Sequence, residues 1–195
     1  MKTKFAITVL AVSSQITSAS IIKRDFSQAD VQNFVNTWNT DVQNVNNFLD
    51  DVFIGGLTTA NPGALADAAR NALTFASDEP VELMRLGSLP NLSGQGMDAA
   101  MNLMMVFGSQ VIDNLNNIIS NPTDSTIVNN AVTGINNVRC FNVLPDLCNL
   151  WPASFSAVGL DPATAPAPLF EKACTQIFAA AGVTPQCEGK APVVA

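Results

Sequence analysis

Seven apolar residues, Val31, Val35, Trp38, Val42, Val45, Leu49 and Val52, recur at alternating steps of four and three. That spacing keeps them in one stripe along a helix of about seven turns, and it is incompatible with a strand, whose faces alternate every two residues. Phe34 and Phe48 widen the stripe, Ser27 and Asp30 form an acidic relative of the capping box at its start, and Gly55-Gly56 ends it. The opposite face carries Gln32, Asn33, Asn36, Asn39, Asp41, Gln43, Asn44, Asn46 and Asn47. Asn is a poor helix former, so the helix must draw its stability from partners that cover the stripe.

The rest of the chain supplies such partners. Asn61-Pro62 reads as an N-cap followed by proline at the first helical position. Leu65, Ala68, Ala69, Ala72, Leu73 and Ala76 then make a helix of small residues suited to close approach. A short helix is expected after Ser77-Asp78-Glu79-Pro80, ending near Gly87, and a loop from Ser88 to Gly96. The segment from Met97 to Ile119 is apolar nearly all round in its first half, which marks a central helix. Its Asn, Gln and Asp residues argue against a membrane span. Asp124 or Ser125 caps the next helix, which carries Ile127, Val128, Ala131, Val132, Ile135 and Val138 and closes at Cys140. Pro145 restarts a shorter one, Gly159 to Pro168 connects, and a last helix carries Leu169, Phe170, Cys174, Ile177 and Phe178 up to Gly182. No alternation of period two is sustained. The fold class expected is therefore all-α: a single-domain bundle of about five to seven helices, its C-terminal third stapled by two disulfides.

Lys2 and Lys4 precede an apolar run from Phe5 to Val12, and Thr17-Ser18-Ala19 offers a cleavage site. Residues 1–19 thus read as a secretory signal peptide. Residues 20–24 read as a short pro-segment ending in the dibasic pair Lys23-Arg24, which resembles a late-secretory processing site of eukaryotes. The bundle would then occupy 25–189, with a flexible tail at 190–195. The whole chain carries 9 basic and 16 acidic residues, for a formal charge of −7. All acidic residues lie at Asp25 or later, so losing Lys2, Lys4, Lys23 and Arg24 would bring the charge to −11. Such a chain repels phosphate backbones and anionic membranes, so nucleic acid is not an expected partner.

The four cysteines, Cys140, Cys148, Cys174 and Cys187, read as two disulfides in an oxidising compartment. Their spacing matches no metal-ligand pattern. Three pairings are open, and the sequential one, Cys140–Cys148 with Cys174–Cys187, closes the shortest loops and is preferred. Asn91-Leu92-Ser93 is an N-glycosylation sequon in a loop, with Asn91 as the acceptor.

The chain has no His and no Tyr, which removes Ser-His-Asp triads, Cys-His pairs and His-ligated zinc. Carboxylate pairs could still hydrolyse glycosides. However, Asp50-Asp51 point in different directions on a helix, and Asp78, Glu79 and Glu82 read as charges at a helix start. Neither an enzyme nor a cofactor or metal site is expected. Met84, Met97, Met101, Met104 and Met105 concentrate in mid-chain, and Met suits surfaces that adapt to varied apolar partners. Trp38, Val45, Met101, Met104, Met105 and Phe107 are the expected liners of an apolar site, although ordinary core filling would use the same residues. Arg70, Arg85 or Arg139 would pair with a ligand carboxylate.

The run Asp41-Val42-Gln43-Asn44-Val45-Asn46-Asn47-Phe48-Leu49, in an Asn-rich amphipathic helix just after a signal peptide, resembles the secreted hydrophobic-surface-binding and cell-wall mannoprotein-like helical proteins of filamentous fungi. The resemblance covers the first helix and the general architecture. It implies a small helical bundle that adsorbs to hydrophobic surfaces or binds fatty acids. The expectation is a secreted or cell-wall-associated, non-enzymatic protein that binds a lipid acyl chain or a hydrophobic surface. The alternative is a structural or host-interacting secreted protein with a packed core and no ligand.

Overall fold

The computed structural model describes residues 25–92, 94–184, 187 and 193–194, the last two by their backbone. The expected signal peptide and pro-segment at 1–24 lie outside the described residues, as do the other tail residues from 190 onward. Helix α1 (Gln28–Phe53) realises the stripe: Val31, Val35, Trp38, Val42, Val45 and Leu49 are fully buried, and Val52 is half-buried. Both halves of the capping box form. The Asp30 N–H donates to the Ser27 hydroxyl at 3.2 Å, and the Ser27 N–H donates to Asp30 Oδ2 at 2.9 Å. The Ser27 hydroxyl also donates to Asp30 Oδ2, at 2.7 Å, and with the Ser27 N–H it favours the charged form and holds the Asp30 carboxyl below its usual range. On the expected polar face, Asp41 and Asn46 are buried, contrary to the reading from periodicity. Asn46 is met there by polar partners on other elements, the Leu169 carbonyl and Arg139.

Asn61 caps α2 (Pro62–Gly87), with Pro62 in its first turn. Leu65, Ala69, Ala72 and Ala76 are buried, and α1 and α2 share the most extensive contact of any helix pair. The small side chains allow that approach. No second helix starts at Ser77-Asp78-Glu79-Pro80: α2 runs through Pro80. Proline removes one internal hydrogen bond, but Ala76 and Glu79 before it and Leu83 after it are buried, and Glu79 is hydrogen-bonded to Trp38 of α1. Tertiary contacts hold the helix where local propensity would break it. Glu79 and Glu82 are therefore mid-helix groups, not charges at a helix start.

Helix α3 (Gln95–Phe107) continues through a π turn (Gly108–Ile112) into α4 (Asp113–Ser120), and this rod runs back along α2. The side chains of Ala99, Ala100, Leu103 and Phe107 turn inward. Met101, Met104 and Met105 do not, so α3 is not the all-round buried helix its composition suggests. Asp124 caps α5 (Ser125–Val138) by accepting from the Thr126 and Ile127 N–H groups. Cys140 does not end it: a second π turn (Arg139–Val143) leads directly into α6 (Leu144–Ala157). A wide turn just before Pro145 lets the rod absorb the missing donor without breaking. The described residues thus form five helical rods, the last being α7 (Lys172–Ala181), which ends at Gly182 in the left-handed conformation, φ +66°.

Leu169–Phe170 do not belong to that last helix. They form a two-residue strand, β1, whose backbone pairs in parallel with β2 (Val193–Val194). The disulfides also differ from the sequential pairing. Cys140 joins Cys174 and Cys148 joins Cys187, across separations of 34 and 39 residues. The continuous α5–α6 rod explains this, because Cys140 and Cys148 lie on one stiff element and each faces the chain that returns over it. By loop-closure entropy each bond contributes on the order of 3–4 kcal/mol. The core is continuous, with Trp38 of α1 edge-on to Trp151 of α6 at 6.2 Å between ring centroids.

The α3–α6 contact is closest at Gly96. A Cβ there would lie 2.3 Å from Ala153 Cβ and 2.9 Å from Leu92 Cδ1. Gly96→Ala is expected to cost about 1–3 kcal/mol by forcing the helices apart. Urea denaturation monitored by circular dichroism measures it, and an unchanged midpoint would contradict the close packing described here.

Candidate functional site

The most unusual group in the interior is Arg139. Its place in the second π turn points it into the core, where its side chain is fully buried. Nη2 donates to Asn46 Oδ1 at 2.7 Å and more weakly to the Val42 carbonyl at 3.4 Å. Two carboxylates flank it, both fully buried. Glu79 Oε1 lies 3.6 Å from Nη1, and Glu171 Oε2 lies 3.8 Å from Nε. Glu79 Oε2 accepts from the Trp38 indole N–H at 2.8 Å, and Asn46 Nδ2 donates to the Leu169 carbonyl at 2.8 Å. The centre thus ties α1, α2, the π turn, β1 and the residue that caps α7.

One guanidinium balances only one of two carboxylates. Desolvation drives both glutamates up from the ordinary 4.5 to about 7, against the pull of Arg139. The extra proton belongs on Glu171. Each carboxylate has an N–H donor that favours its charged form, the Trp38 indole for Glu79 and its own backbone N–H for Glu171, so the contact with the disulfide is what separates them. The approach of Glu171 Oε1 to Cys140 Sγ, at 3.7 Å, is favourable only if the carboxyl carries the hydrogen, because a disulfide sulfur has none to give. The same disulfide takes up both sulfurs of the Cys140–Cys174–Glu171 set, whose spacing would otherwise suit a metal ion. Glu79 and Glu171 are sealed from solvent, so no substrate reaches them in this state. Asp41, near Asp78 and Glu82, and Asp146 are also raised, to about 6, chiefly by desolvation.

The expected apolar liners are split between inside and outside. Trp38, Val45 and Phe107 are core residues. Met101, Met104 and Met105 are 50, 55 and 72% exposed, and Met84 on α2 is 61% exposed. Met101, Met104 and Met105 share one face of α3 by their three- and four-residue spacing, and Met84 lies on the neighbouring α2. A Cβ on Gly87 would lie 3.3 Å from the Met104 terminal methyl, so Met104 lies over α2 at Gly87. Met84 sits one turn before Gly87, on the same side of that helix, and exposed Val81 one turn before that. The sequence pattern did not mark Met84 as part of the site; its three-residue step to Gly87 was the available signal.

Neither of two clefts described in the structure includes this face. One, of about 550 Å³, lies between Phe26, Leu89, Pro90 and Val158, with Asn91 at its rim. Asn91 is exposed, and its Nδ2 donates to the Ala157 carbonyl at 3.3 Å; Ser93 of its sequon lies outside the described residues. The other, of about 300 Å³, lies beside Gln95, Asn149, Pro152 and Pro162. The cations expected to pair with a ligand carboxylate already have acidic partners. Arg70 pairs with Asp67, and Arg85 pairs with Glu82 at 2.7 Å while lying 4.9 Å over the Phe34 ring. Arg139 is held in the buried centre. Among the described residues no helix is long and apolar enough to cross a membrane. Comparison with protein-family models, curated proteins and solved structures finds no match to this chain.

The raised carboxyls fix the sign of the pH dependence. Between about 4.5 and about 7 the folded protein binds more protons than the unfolded chain, so stability falls as pH rises through that window. The melting temperature is expected to drop by on the order of 5 °C between pH 5 and pH 8. Glu171→Gln, which supplies a permanent hydrogen, should flatten that profile in calorimetry; a variant as steep as the parent would place the proton elsewhere. Arg139→Met leaves Glu79 without its counter-charge and is expected to cost about 3–5 kcal/mol in chemical denaturation.

Proposed function

We propose that this chain is a secreted, non-enzymatic helical protein that binds an uncharged hydrophobic surface through the Met84–Met101–Met104–Met105 face. One observation carries the reading: four flexible apolar side chains gather outside a core that is already filled. Methionine is unbranched and polarizable, so such a face conforms to partners of irregular shape. A contiguous apolar patch on an acidic protein is a contact surface in waiting.

Two further features favour a surface over an enclosed acyl chain. The expected liners Trp38, Val45 and Phe107 are buried in the core, while the methionines lie outside it. Arg70, Arg85 and Arg139 are each engaged by a carboxylate, which leaves a fatty-acid head group no cation from this set. The strong negative charge disfavours anionic membranes, so the surface is neutral. The Asn-rich first helix, similar to that of fungal hydrophobic-surface-binding proteins, points the same way, and two disulfides suit an extracellular setting.

Adsorption to octyl-coated beads tests the reading. Met84→Ser/Met104→Ser/Met105→Ser should weaken binding about tenfold or more, the factor that follows from losing the transfer energy of one or more apolar side chains. The melting temperature should stay within a few degrees, because the substituted side chains are exposed. Unaltered adsorption would leave the alternative, a structural cell-wall or host-interacting protein with a packed core and no ligand.

A further inference from the structure

We infer that the methionine face is an oxidation-sensitive site, at which hydroperoxides convert the exposed thioethers to sulfoxides and release the apolar partner without unfolding the protein. The inference rests on the Met face being the contact surface.

It begins with which side chains an oxidant can reach. The chain has no His and no Tyr. Among the described residues no cysteine is free, since all four form disulfides. Both tryptophans, Trp38 and Trp151, are fully buried. The usual targets of peroxide are thereby absent, already oxidised or shielded. What stays open are Met84, Met101, Met104 and Met105, each at least half exposed. Met97 is partly buried, and among the described residues no methionine belongs to the fully buried core.

The chemistry is a two-electron oxygen transfer. The thioether lone pair attacks one peroxide oxygen, forming the S–O bond as the O–O bond breaks. The sulfur is oxidised and the peroxide reduced. The departing oxygen takes the proton of the transferred hydroxyl and leaves as water, or as an alcohol from an organic hydroperoxide. The product is polar where the reactant was apolar. In a core such a change would disrupt packing. Here it falls on side chains that face outward, so the helices and the centre around Arg139 are untouched while the contact face loses its affinity. Reach and location together make the response selective for binding over stability.

The full oxidised chain is treated with dilute hydrogen peroxide and followed by peptide mapping, circular dichroism and adsorption to octyl-coated beads. Met84, Met101, Met104 and Met105 should gain oxygen before Met97 and before either tryptophan. Adsorption should fall about tenfold, the equivalent of roughly one buried apolar side chain, while the helical signal and melting temperature hold. Met84→Leu/Met101→Leu/Met104→Leu/Met105→Leu keeps the face apolar and removes the sulfurs. It should adsorb like the parent and lose its peroxide response. Oxidation of the four residues with no loss of adsorption would overturn the inference while leaving the surface reading intact. An equal loss in the leucine variant, or prior oxidation of Trp38 or Trp151, would also overturn it. A leucine variant and a serine variant that both adsorb like the parent would instead defeat the surface reading itself.

Discussion

A single buried guanidinium organises this bundle. Arg139 is fully buried, so its charge must be met by protein groups at fixed positions. Those groups come from α1 through Asn46 and the Val42 carbonyl, from α2 through Glu79, and from the segment before α7 through Glu171. A hydrophobic core tolerates many near-equivalent arrangements. A desolvated ion does not, because sliding α2 by one turn along α1 would strand Glu79 from both Trp38 and Arg139. The centre therefore fixes the register of helices whose apolar faces alone would leave it loose. It does so at a cost in stability, since burying charged groups is expensive even when they are paired.

The π turn at Arg139–Val143 belongs to the same arrangement. It keeps α5 and α6 in one rod, aims Arg139 inward, and places Cys140 beside Glu171 and Cys174. The disulfide then holds α7 against the rod at the point where Glu171 enters the centre. Charge, chain path and covalent cross-link converge within a few residues. The expected loss of stability with rising pH comes from the same arrangement, because two carboxylates share one counter-ion.

With the inside occupied in this way, what the molecule can offer a partner lies on its surface. The interior has filled its volume with Trp38, Trp151, Phe107 and Phe155, and the flexible methionines are left outside. A solid core behind a soft apolar face suits adsorption better than enclosure, and it makes the face separable from the fold. Chemistry done to the methionine sulfurs, or a substitution there, acts on contact rather than on folding.

The sequence alone determined the helical class, the first helix with its cap and stripe, the cap at Asn61, and the presence of two disulfides. These depend on neighbours within a turn or on a simple count, so spacing and residue type suffice. Only the tertiary structure decided how α2 survives Pro80, how α5 passes Cys140, which cysteines meet, and which side of α3 faces water. Nothing local marks Arg139, Glu79 or Asn46 as interior, since each is an ordinary surface residue until partners 41 to 97 positions away surround it. The same limit hid the methionine face. A run apolar on all sides reads as central, but whether a given side is covered depends on how many helices reach it, and that is a property of the assembled bundle.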